Sequence, residues 1–198
     1  MVTLPGDNII AEDGFVFYVA QFLPLQNSQD YFEQLKQSLQ WQSESYTIYG
    51  KTVAAPRRVA WYGDAGASYA YSGIVHAPLP WNTLLLQLRD QIQSVCKQPL
   101  NSVLANLYRD GKDSMGWHAD QEPELGPNPF IASLSLGEMR VFKLRHRKTK
   151  RVVKLELNSG SLLIMAGELQ HHWQHCVPKT AIEKQARINL TFRNIVNL

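Results

Sequence analysis

The feature that most constrains the fold of this sequence is a series of short strand patterns that begins after Leu100. Each pattern is a brief apolar or alternating run, and turn residues separate one run from the next. Many short strands of this kind are typical of a β-sandwich or a barrel. The predicted strands are Val103–Tyr108, Ile131–Leu136, Arg140–Leu144, Val152–Leu157, Ser161–Met165, Trp173–Val177 and Arg187–Ile195.

Two amphipathic segments precede these strands and predict helices. The first helix is predicted over Ser28–Trp41, with Asn27 or Ser28 as its N-terminal cap. Its apolar face consists of Phe32, Leu35 and Leu39. The second helix is predicted to begin near Pro80. Its buried face is predicted to contain Trp81, Leu84, Leu85, Leu88, Ile92 and Val95. The order of elements predicts an α+β protein, mainly β, with N-terminal helices packed on one sheet of a jelly-roll core.

Length and composition indicate one folded domain inside a cell. The chain has 198 residues, of which 44% are hydrophobic and 19% are charged, which is ordinary for a globular domain. The sequence lacks a membrane-spanning apolar run and a start that resembles a signal peptide. Its cysteines, Cys96 and Cys176, do not form a metal-like pair, which favours a reducing compartment. We expect a monomer in the cytoplasm of a bacterium or in the nucleus of a eukaryote.

His118 and Asp120 form the pattern that carries the most chemistry. Side chains two residues apart on a strand point to the same side, so both could bind one ion. Two imidazoles and one carboxylate occupy one face of an iron(II) ion in non-haem oxygenases and leave the other positions open. The spacing alone leaves the third ligand open. The candidates are His171, His172 and His175.

A second pattern places polar residues on one face of the strand Arg187–Arg193. Its alternating side chains would put Arg187, Asn189, Thr191 and Arg193 together. This face either lies in water, as on an ordinary amphipathic strand, or lines a cavity. In a cavity the two guanidinium groups could bind a dicarboxylate such as 2-oxoglutarate.

Two further stretches carry polar side chains with open interpretations. Asn106 and Tyr108 share a face of the predicted strand Val103–Tyr108, where they either contact a ligand or form a half-buried edge. The basic run 145–151 lies between two predicted strands and indicates a hairpin tip. The net charge is only +3, so this tip is either a solvated turn or a phosphate-binding surface on a nucleic-acid-binding protein.

Taken together, Asn106-x-Tyr108, His118-x-Asp120, His175 and Arg187-x5-Arg193 resemble the AlkB family of iron(II)- and 2-oxoglutarate-dependent oxygenases. The resemblance runs from about residue 46 to residue 195 and is closest to members that repair alkylated double-stranded DNA. Further similar segments are Pro56-Arg57-Arg58, Tyr62-Gly63-Asp64-Ala65-Gly66, Tyr69-Ala70-Tyr71-Ser72-Gly73 and Asn189-Leu190-Thr191-Phe192-Arg193. The family's fold is a double-stranded β-helix, which agrees with the strand patterns.

The resemblance implies the roles of the site residues. His118, Asp120 and His175 would bind Fe(II) as the catalytic centre, so the family pattern selects His175 as the third ligand. The 2-oxoglutarate co-substrate would be held by Asn106, Tyr108, Arg187, Asn189 and Arg193. The sequence does not assign either arginine to a particular carboxylate.

The implied reaction is DNA dealkylation repair. N-methylated bases such as 1-methyladenine and 3-methylcytosine would be demethylated with Fe(II), O2 and 2-oxoglutarate, which releases succinate, CO2 and formaldehyde. The implied substrate contacts are Tyr49 (as a finger that fills the vacated stack), Tyr69, Tyr71, Ser72, His118 and Glu122. Gln121 departs from the acidic residue that close relatives often carry, which affects recognition of the lesion and not the iron site.

We expect residues 1–198 to form one catalytic domain. Helices and a nucleotide-recognition lid would occupy about 1–99, and the jelly-roll core would occupy about 100–198. The expected partner is alkylated DNA, in duplex form or as a single strand, with no membrane involved. The alternatives are an RNA demethylase with the same chemistry and a non-catalytic nucleic-acid-binding module.

Overall fold

The computed structural model describes residues 4–48, 51–67, 69–71 and 74–196. In chain order its elements are β1 (Asp7–Ile10), β2 (Phe15–Val19), α1 (Leu25–Ser38), β3 (Gln42–Ile48), β4 (Lys51–Gly63), β5 (Tyr69–Tyr71), β6 (Ile74–His76), α2 (Thr83–Cys96), β7 (Ser102–Tyr108), β8 (Met115–His118), β9 (Ile131–Gly137), β10 (Arg140–His146), β11 (Val152–Leu157), β12 (Leu162–Ala166), α3 (Leu169–His172), β13 (Trp173–Val177) and β14 (Arg187–Arg193).

Two antiparallel sheets pack against each other to form the core. The larger sheet has the strand order β1-β2-β12-β9-β14-β7-β4-β3, and the smaller sheet has the order β11-β10-β13-β8. Apolar side chains from both sheets form one cluster, with Ile131 and Met165 from the larger sheet and Phe142 and Trp173 from the smaller. The predicted mainly-β, jelly-roll class is therefore confirmed.

The two long helices cover the other face of the larger sheet. Leu35 of α1 and Leu88 of α2 are fully buried in a second apolar cluster, together with Val103 of β7 and Leu190 of β14. Burying the apolar face of each helix against a sheet removes it from water and drives this packing. None of the helices in the described part of the chain is long and apolar enough to cross a lipid bilayer.

Strand β14 lies in the middle of the larger sheet between β7 and β9, and all of its residues are buried. Ile188, Leu190 and Phe192 face the helices. The alternate residues face the smaller sheet, because side chains alternate along a strand. The polar face of this strand therefore lies inside the protein, and the solvent-facing interpretation is wrong.

Both helices differ from the predicted ones in detail. α1 begins at Leu25 after Pro24, and no side chain caps it. The predicted caps are wrong because Ser28 lies inside the helix and its hydroxyl donates to the Leu25 carbonyl. α2 begins at Thr83, capped by the side chain of Asn82. Val95 was predicted to be buried but is 41% exposed, and the neighbouring Cys96 is buried in the core instead.

The strands in the second half of the chain lie close to their predicted positions. β11 and β13 match their predicted bounds, whereas β14 ends at Arg193 and not at Ile195. The basic run forms the end of β10 and the turn to β11, so the predicted hairpin is present. Strands β1, β2, β3 and β4 were not predicted, and they extend both edges of the larger sheet.

Candidate active site

A cavity of about 490 Å³ lies between the two sheets. It is lined by β7 and β14 of the larger sheet and by β8, β10 and β13 of the smaller one. All of the predicted iron ligands and 2-oxoglutarate contacts line this cavity: His118, Asp120, His175, Asn106, Tyr108, Arg187, Asn189 and Arg193. The fold thus brings together side chains that are far apart in the sequence.

The donor atoms of His118, Asp120 and His175 lie within 4.8 Å of one another. His118 and His175 are direct partners across the neighbouring strands β8 and β13. β8 ends at His118, so Asp120 lies in the following loop. The prediction that both residues lie on one strand is therefore wrong. The loop then enters a short 3-10 turn over Pro123–Leu125, and the fixed φ of proline suits the first position of such a turn. The donors meet through this loop and not through strand alternation.

The local hydrogen bonds leave the right atom of His118 available. Its Nδ1 lies 2.9 Å from the carbonyl oxygen of Gly116. A carbonyl only accepts hydrogen bonds, so Nδ1 carries the proton and Nε2 keeps its lone pair. Nε2 is 3.6 Å from Oδ1 of Asp120, so this lone pair points into the donor set.

Asp120 is a buried, ionised carboxylate. It is 3% exposed, and its Oδ2 accepts a hydrogen bond from Nη2 of Arg193 at 2.7 Å. Burial alone raises the pKa of a carboxyl group, but the positive charge of Arg193 and its hydrogen bond lower the pKa of Asp120 below its ordinary range. The carboxylate is therefore in the form that binds a metal ion.

His175 is held as a neutral imidazole. Burial lowers the pKa of His175 to about 3. The ring of Phe142 stacks on its ring at an interplanar angle of 28°, with 5.3 Å between the centroids. A neutral imidazole is the form that binds metals, so this side chain is both fixed in place and correctly protonated.

Arg187 is a buried cation that lacks an anionic partner among the described residues. Its Nη2 donates to Ser135 Oγ at 2.9 Å, whereas Nε and Nη1 have no hydrogen-bond partner within the described ranges. Burial lowers the pKa of Arg187 to about 10, so the group still carries its charge at neutral pH. A buried charge is expensive without a partner, which makes this end of the cavity suitable for an anion.

The other predicted co-substrate residues form the wall around these arginines. Arg57 donates from Nε to Oδ1 of Asn106 at 2.7 Å. The guanidinium of Arg187 lies over the ring of Tyr108, 5.2 Å from its centroid. The amide nitrogen of Asn189 donates to Ser133 Oγ at 2.7 Å. The Asn189 amide nitrogen is therefore hydrogen-bonded to a neighbouring strand of the cavity wall.

The predicted substrate residues are only partly described. Glu122 and His118 line the cavity. Tyr49 and Ser72 lie outside the described residues. Tyr69 and Tyr71 are the ends of β5, which pairs with β6, and the positions of their side chains lie outside the described part.

The sequence analysis missed two residues, one that lines the cavity and one that lies behind the Asp120 loop. Arg57 is buried beside Asn106, and the Pro56-Arg57-Arg58 segment of the family resemblance could have indicated it. Gln170 is buried against the Asp120 loop. No sequence pattern marks this residue, because its contact joins distant segments.

Comparison with known proteins identifies the family. The model of the 2OG-Fe(II) oxygenase superfamily matches residues 15–193. DNA oxidative demethylase ALKBH2 of Mus musculus is 40% identical over 176 residues, which cover 83% of this chain and 74% of that protein. The chain belongs to the AlkB family of the 2OG-Fe(II) oxygenase superfamily. The predicted family is therefore confirmed, and with it the cofactor class, Fe(II) and 2-oxoglutarate.

Other comparisons define the extent of the similarity for this AlkB-family chain. Alpha-ketoglutarate-dependent dioxygenase alkB homolog 3 of Bos taurus is 41% identical over 184 residues, which cover 88% of this chain. The chain spans 64% of the length of that relative. The solved structure of OsALKBH1 matches with a TM-score of 0.62 at 21% identity. The match covers 90% of this chain and 97% of the OsALKBH1 chain. That likeness supports the double-stranded β-helix fold.

Proposed function

We propose that this chain is an iron(II)- and 2-oxoglutarate-dependent dioxygenase that removes N-methyl groups from DNA bases such as 1-methyladenine and 3-methylcytosine. The observation that carries the proposal is the meeting of two features in one cavity. One is a His–Asp–His donor set, and the other is a buried arginine without an anionic partner in the described residues. The relatives named DNA oxidative demethylase support the substrate class.

The donor set fits a divalent iron ion. His118 offers Nε2 because Nδ1 is bonded to a backbone carbonyl, His175 is neutral, and Asp120 is ionised. Two imidazoles and a carboxylate are the ligands of the facial triad of non-haem iron(II) oxygenases. These residues would hold the ion and leave coordination positions open for the co-substrate.

The arginines fit the two carboxylates of 2-oxoglutarate at different ends. Arg193 is bonded to the metal-binding residue Asp120, so it would contact the carboxylate end that lies beside the metal. Arg187 lies at the opposite end of β14, beside Tyr108, and would pair with the distal carboxylate. Its Nε and Nη1 donors, which have no partner among the described residues, are available to the oxygens of an anion. Asn106 would add a polar contact between them, and Asn189 would hold the wall in shape.

When bound, iron(II) and 2-oxoglutarate would provide, together with O2, the chemistry that oxidises an N-methyl group. The products would be succinate, CO2, formaldehyde and the unmodified base. The residues of this chain position the methyl group and exclude water. Met115 and Phe142 give the cavity apolar walls near the donor set. Glu122 lines the same cavity, and its carboxylate would attract a methylated base that carries a positive charge.

The substrate would be a nucleotide that has left its base stack, because a base inside a duplex cannot reach the cavity. His118 would contact the flipped base from the metal side. Tyr49, Tyr69, Tyr71 and Ser72 are proposed as the remaining contacts on the family resemblance. A duplex preference is also proposed on the family resemblance, since relatives of both names, ALKBH2 and alkB homolog 3, have similar identity to this chain and do not distinguish the strand form.

We further propose that residues 1–198 act as one catalytic domain and as a monomer. Strands from the first half of the chain complete the larger sheet, which supports a single unit. The free, buried cysteines Cys96 and Cys176 support a reducing compartment. This compartment would be the cytoplasm of a bacterium or the nucleus of a eukaryote.

Mass spectrometry of a methylated oligonucleotide tests the proposal. The protein is incubated with iron, ascorbate and 2-oxoglutarate, and with the same lesion in duplex DNA, single-stranded DNA or RNA. We expect loss of one methyl group, fastest on the duplex. Faster turnover of RNA would change the substrate class. An unchanged mass with salt-sensitive binding would indicate a non-catalytic nucleic-acid-binding module.

A further inference from the structure

Gln170 is a buried polar residue beside the metal donors with no role in the function proposed above. It is 2% exposed and belongs to the short helix α3. α3 runs directly into β13, the strand that carries His175. Gln170 and His175 therefore belong to one continuous segment of secondary structure.

The side chain of Gln170 reaches the main chain of Asp120. Its Oε1 accepts a hydrogen bond from the Asp120 backbone N–H at 3.0 Å. Because β8 ends at His118, this N–H lies beyond the strand ladder. A buried backbone N–H needs a partner, and Gln170 supplies it. The other end of the amide, Nε2, lies 3.9 Å from the sulfur of Met165 in β12.

Asp120 is thus fixed at two points by different parts of the protein. Arg193 holds its carboxylate, and Gln170 holds its main chain. The same turn of helix also holds the far end of the loop, where His171 Nε2 donates to the Pro127 carbonyl at 2.6 Å. Without Gln170 the Asp120 carboxylate would still contact Arg193, but the Asp120 main chain would no longer be held in position relative to β13.

We propose that Gln170 is a positioning residue that fixes Asp120 relative to His175 and thereby sets the affinity of the metal site. This inference rests on the metal site of the proposed function but not on its substrate. Partners that orient metal ligands typically change metal affinity by about 10- to 100-fold when they are removed. The hydrogen-bond acceptor at position 170 is the feature that matters, and not the bulk of the side chain.

The test is a titration with Mn(II), in which the EPR signal of the free ion disappears on binding. Gln170→Leu and Gln170→Met remove the acceptor, and Gln170→Glu retains an oxygen acceptor. His171→Ala is the matched control, since it removes another contact of the same turn without touching Asp120. We expect the Leu and Met variants to bind Mn(II) roughly 10- to 100-fold more weakly. The Glu and His171 variants should bind close to the wild-type protein.

Each outcome bears on one of the two proposals. Failure of the wild-type protein to bind Mn(II) would overturn the metal site and with it the proposed function. If the wild-type protein binds and a folded Gln170→Leu variant binds equally well, only the role of Gln170 is wrong. Weak binding by a folded Gln170→Glu variant would also overturn that role. Unfolding of both apolar variants, with Gln170→Glu folded, would assign Gln170 to core stability and also overturn it.

Discussion

Within the described residues, the structure contains two groups of two histidines and one aspartate whose donor atoms lie within 4.8 Å of one another. The cavity triad consists of His118, Asp120 and His175. The peripheral triad consists of Asp13, His146 and His172 and joins the β1–β2 turn to β10 and α3. The two groups have the same composition, yet their hydrogen bonds indicate different roles.

The neighbouring backbone determines which imidazole nitrogen is available. In the cavity triad, Nδ1 of His118 donates to the Gly116 carbonyl and leaves Nε2 free. In the peripheral triad, Nδ1 of His146 accepts from the Thr149 backbone N–H at 3.0 Å. Nε2 of His146 therefore carries the proton and donates to Oδ2 of Asp13 at 2.9 Å. This nitrogen has no lone pair for a metal ion.

The surroundings of the two groups reinforce this difference. The cavity triad opens onto the cavity beside Arg193. The ring of His146 packs edge-on against Trp173, with 5.0 Å between the centroids, at the base of the basic hairpin tip. The comparison teaches that a His–His–Asp cluster is a metal site only where the surrounding partners leave its lone pairs available.

Replacement of His118 should have the largest effect. His118→Ala removes a proposed metal ligand, so the Kd for Mn(II) should rise beyond the roughly 100-fold that loss of an orienting partner causes. Turnover of the methylated oligonucleotide should be lost. The matched control is His172→Ala in the peripheral triad, which should leave both quantities unchanged. Retention of metal and turnover by His118→Ala would show that the two groups have been assigned the wrong way round.

Replacement of Arg187 should separate binding from stability. A hydrogen bond to a charged group contributes about 1.5–3 kcal/mol, so Arg187→Met should raise the KM for 2-oxoglutarate by roughly 10- to 150-fold. The free energy of unfolding without co-substrate should rise, because a buried charge without an anionic partner in the described residues is removed. Steady-state kinetics and urea denaturation measure the two effects.

Arg140→Met is the control for the Arg187 variant. Arg140 is equally buried, but it donates to the carbonyls of Asp110, Asp113 and Pro178. Its replacement should lower the free energy of unfolding, since these carbonyls lose their partner. An Arg187 variant that is destabilised in the same way would indicate a structural role for that arginine.

Replacement of His146 should affect stability alone. His146→Ala removes a buried, hydrogen-bonded ring that packs on Trp173, and about 2 kcal/mol of unfolding free energy should be lost. The Mn(II) stoichiometry and the KM for 2-oxoglutarate should not change. Urea denaturation and EPR titration on the same preparation check this. A lower metal stoichiometry would mean that the peripheral triad also binds an ion.

The sequence predicts the cavity side of this comparison well. The period-two pattern of β14 predicts which of its residues share a face, and the central position of the strand places that face between the sheets. His118, Asp120 and His175 could be selected because their chemistry is specific and the family spacing is recognisable. Such features are local, or they belong to a pattern of matched segments.

The sequence does not predict features that depend on contacts between distant segments. The start of α1 depends on Pro24 and on the buried Ser28, whose hydroxyl accepts a hydrogen bond from Ser159 at 3.0 Å. Gln170 matters because β8 ends early and leaves Asp120 in a loop. Which ring nitrogen of His146 carries the proton depends on a turn residue, Thr149. No local pattern encodes these partners.

Asp13→Asn should have the smallest effect and gives the sharpest test of the peripheral triad. The asparagine oxygen can still accept from Nε2 of His146, and asparagine tolerates the positive φ of 55° at this position. Asp13 is largely exposed, so the change in unfolding free energy should stay below about 1 kcal/mol. Co(II) absorption spectra should be identical for the variant and the wild-type protein, because the site does not hold a metal ion. The contrary outcome is a Co(II) signal that is lost in Asp13→Asn but kept in His118→Ala. It would show that a metal ion displaces the proton on His146 and that the surrounding partners alone do not distinguish the two triads.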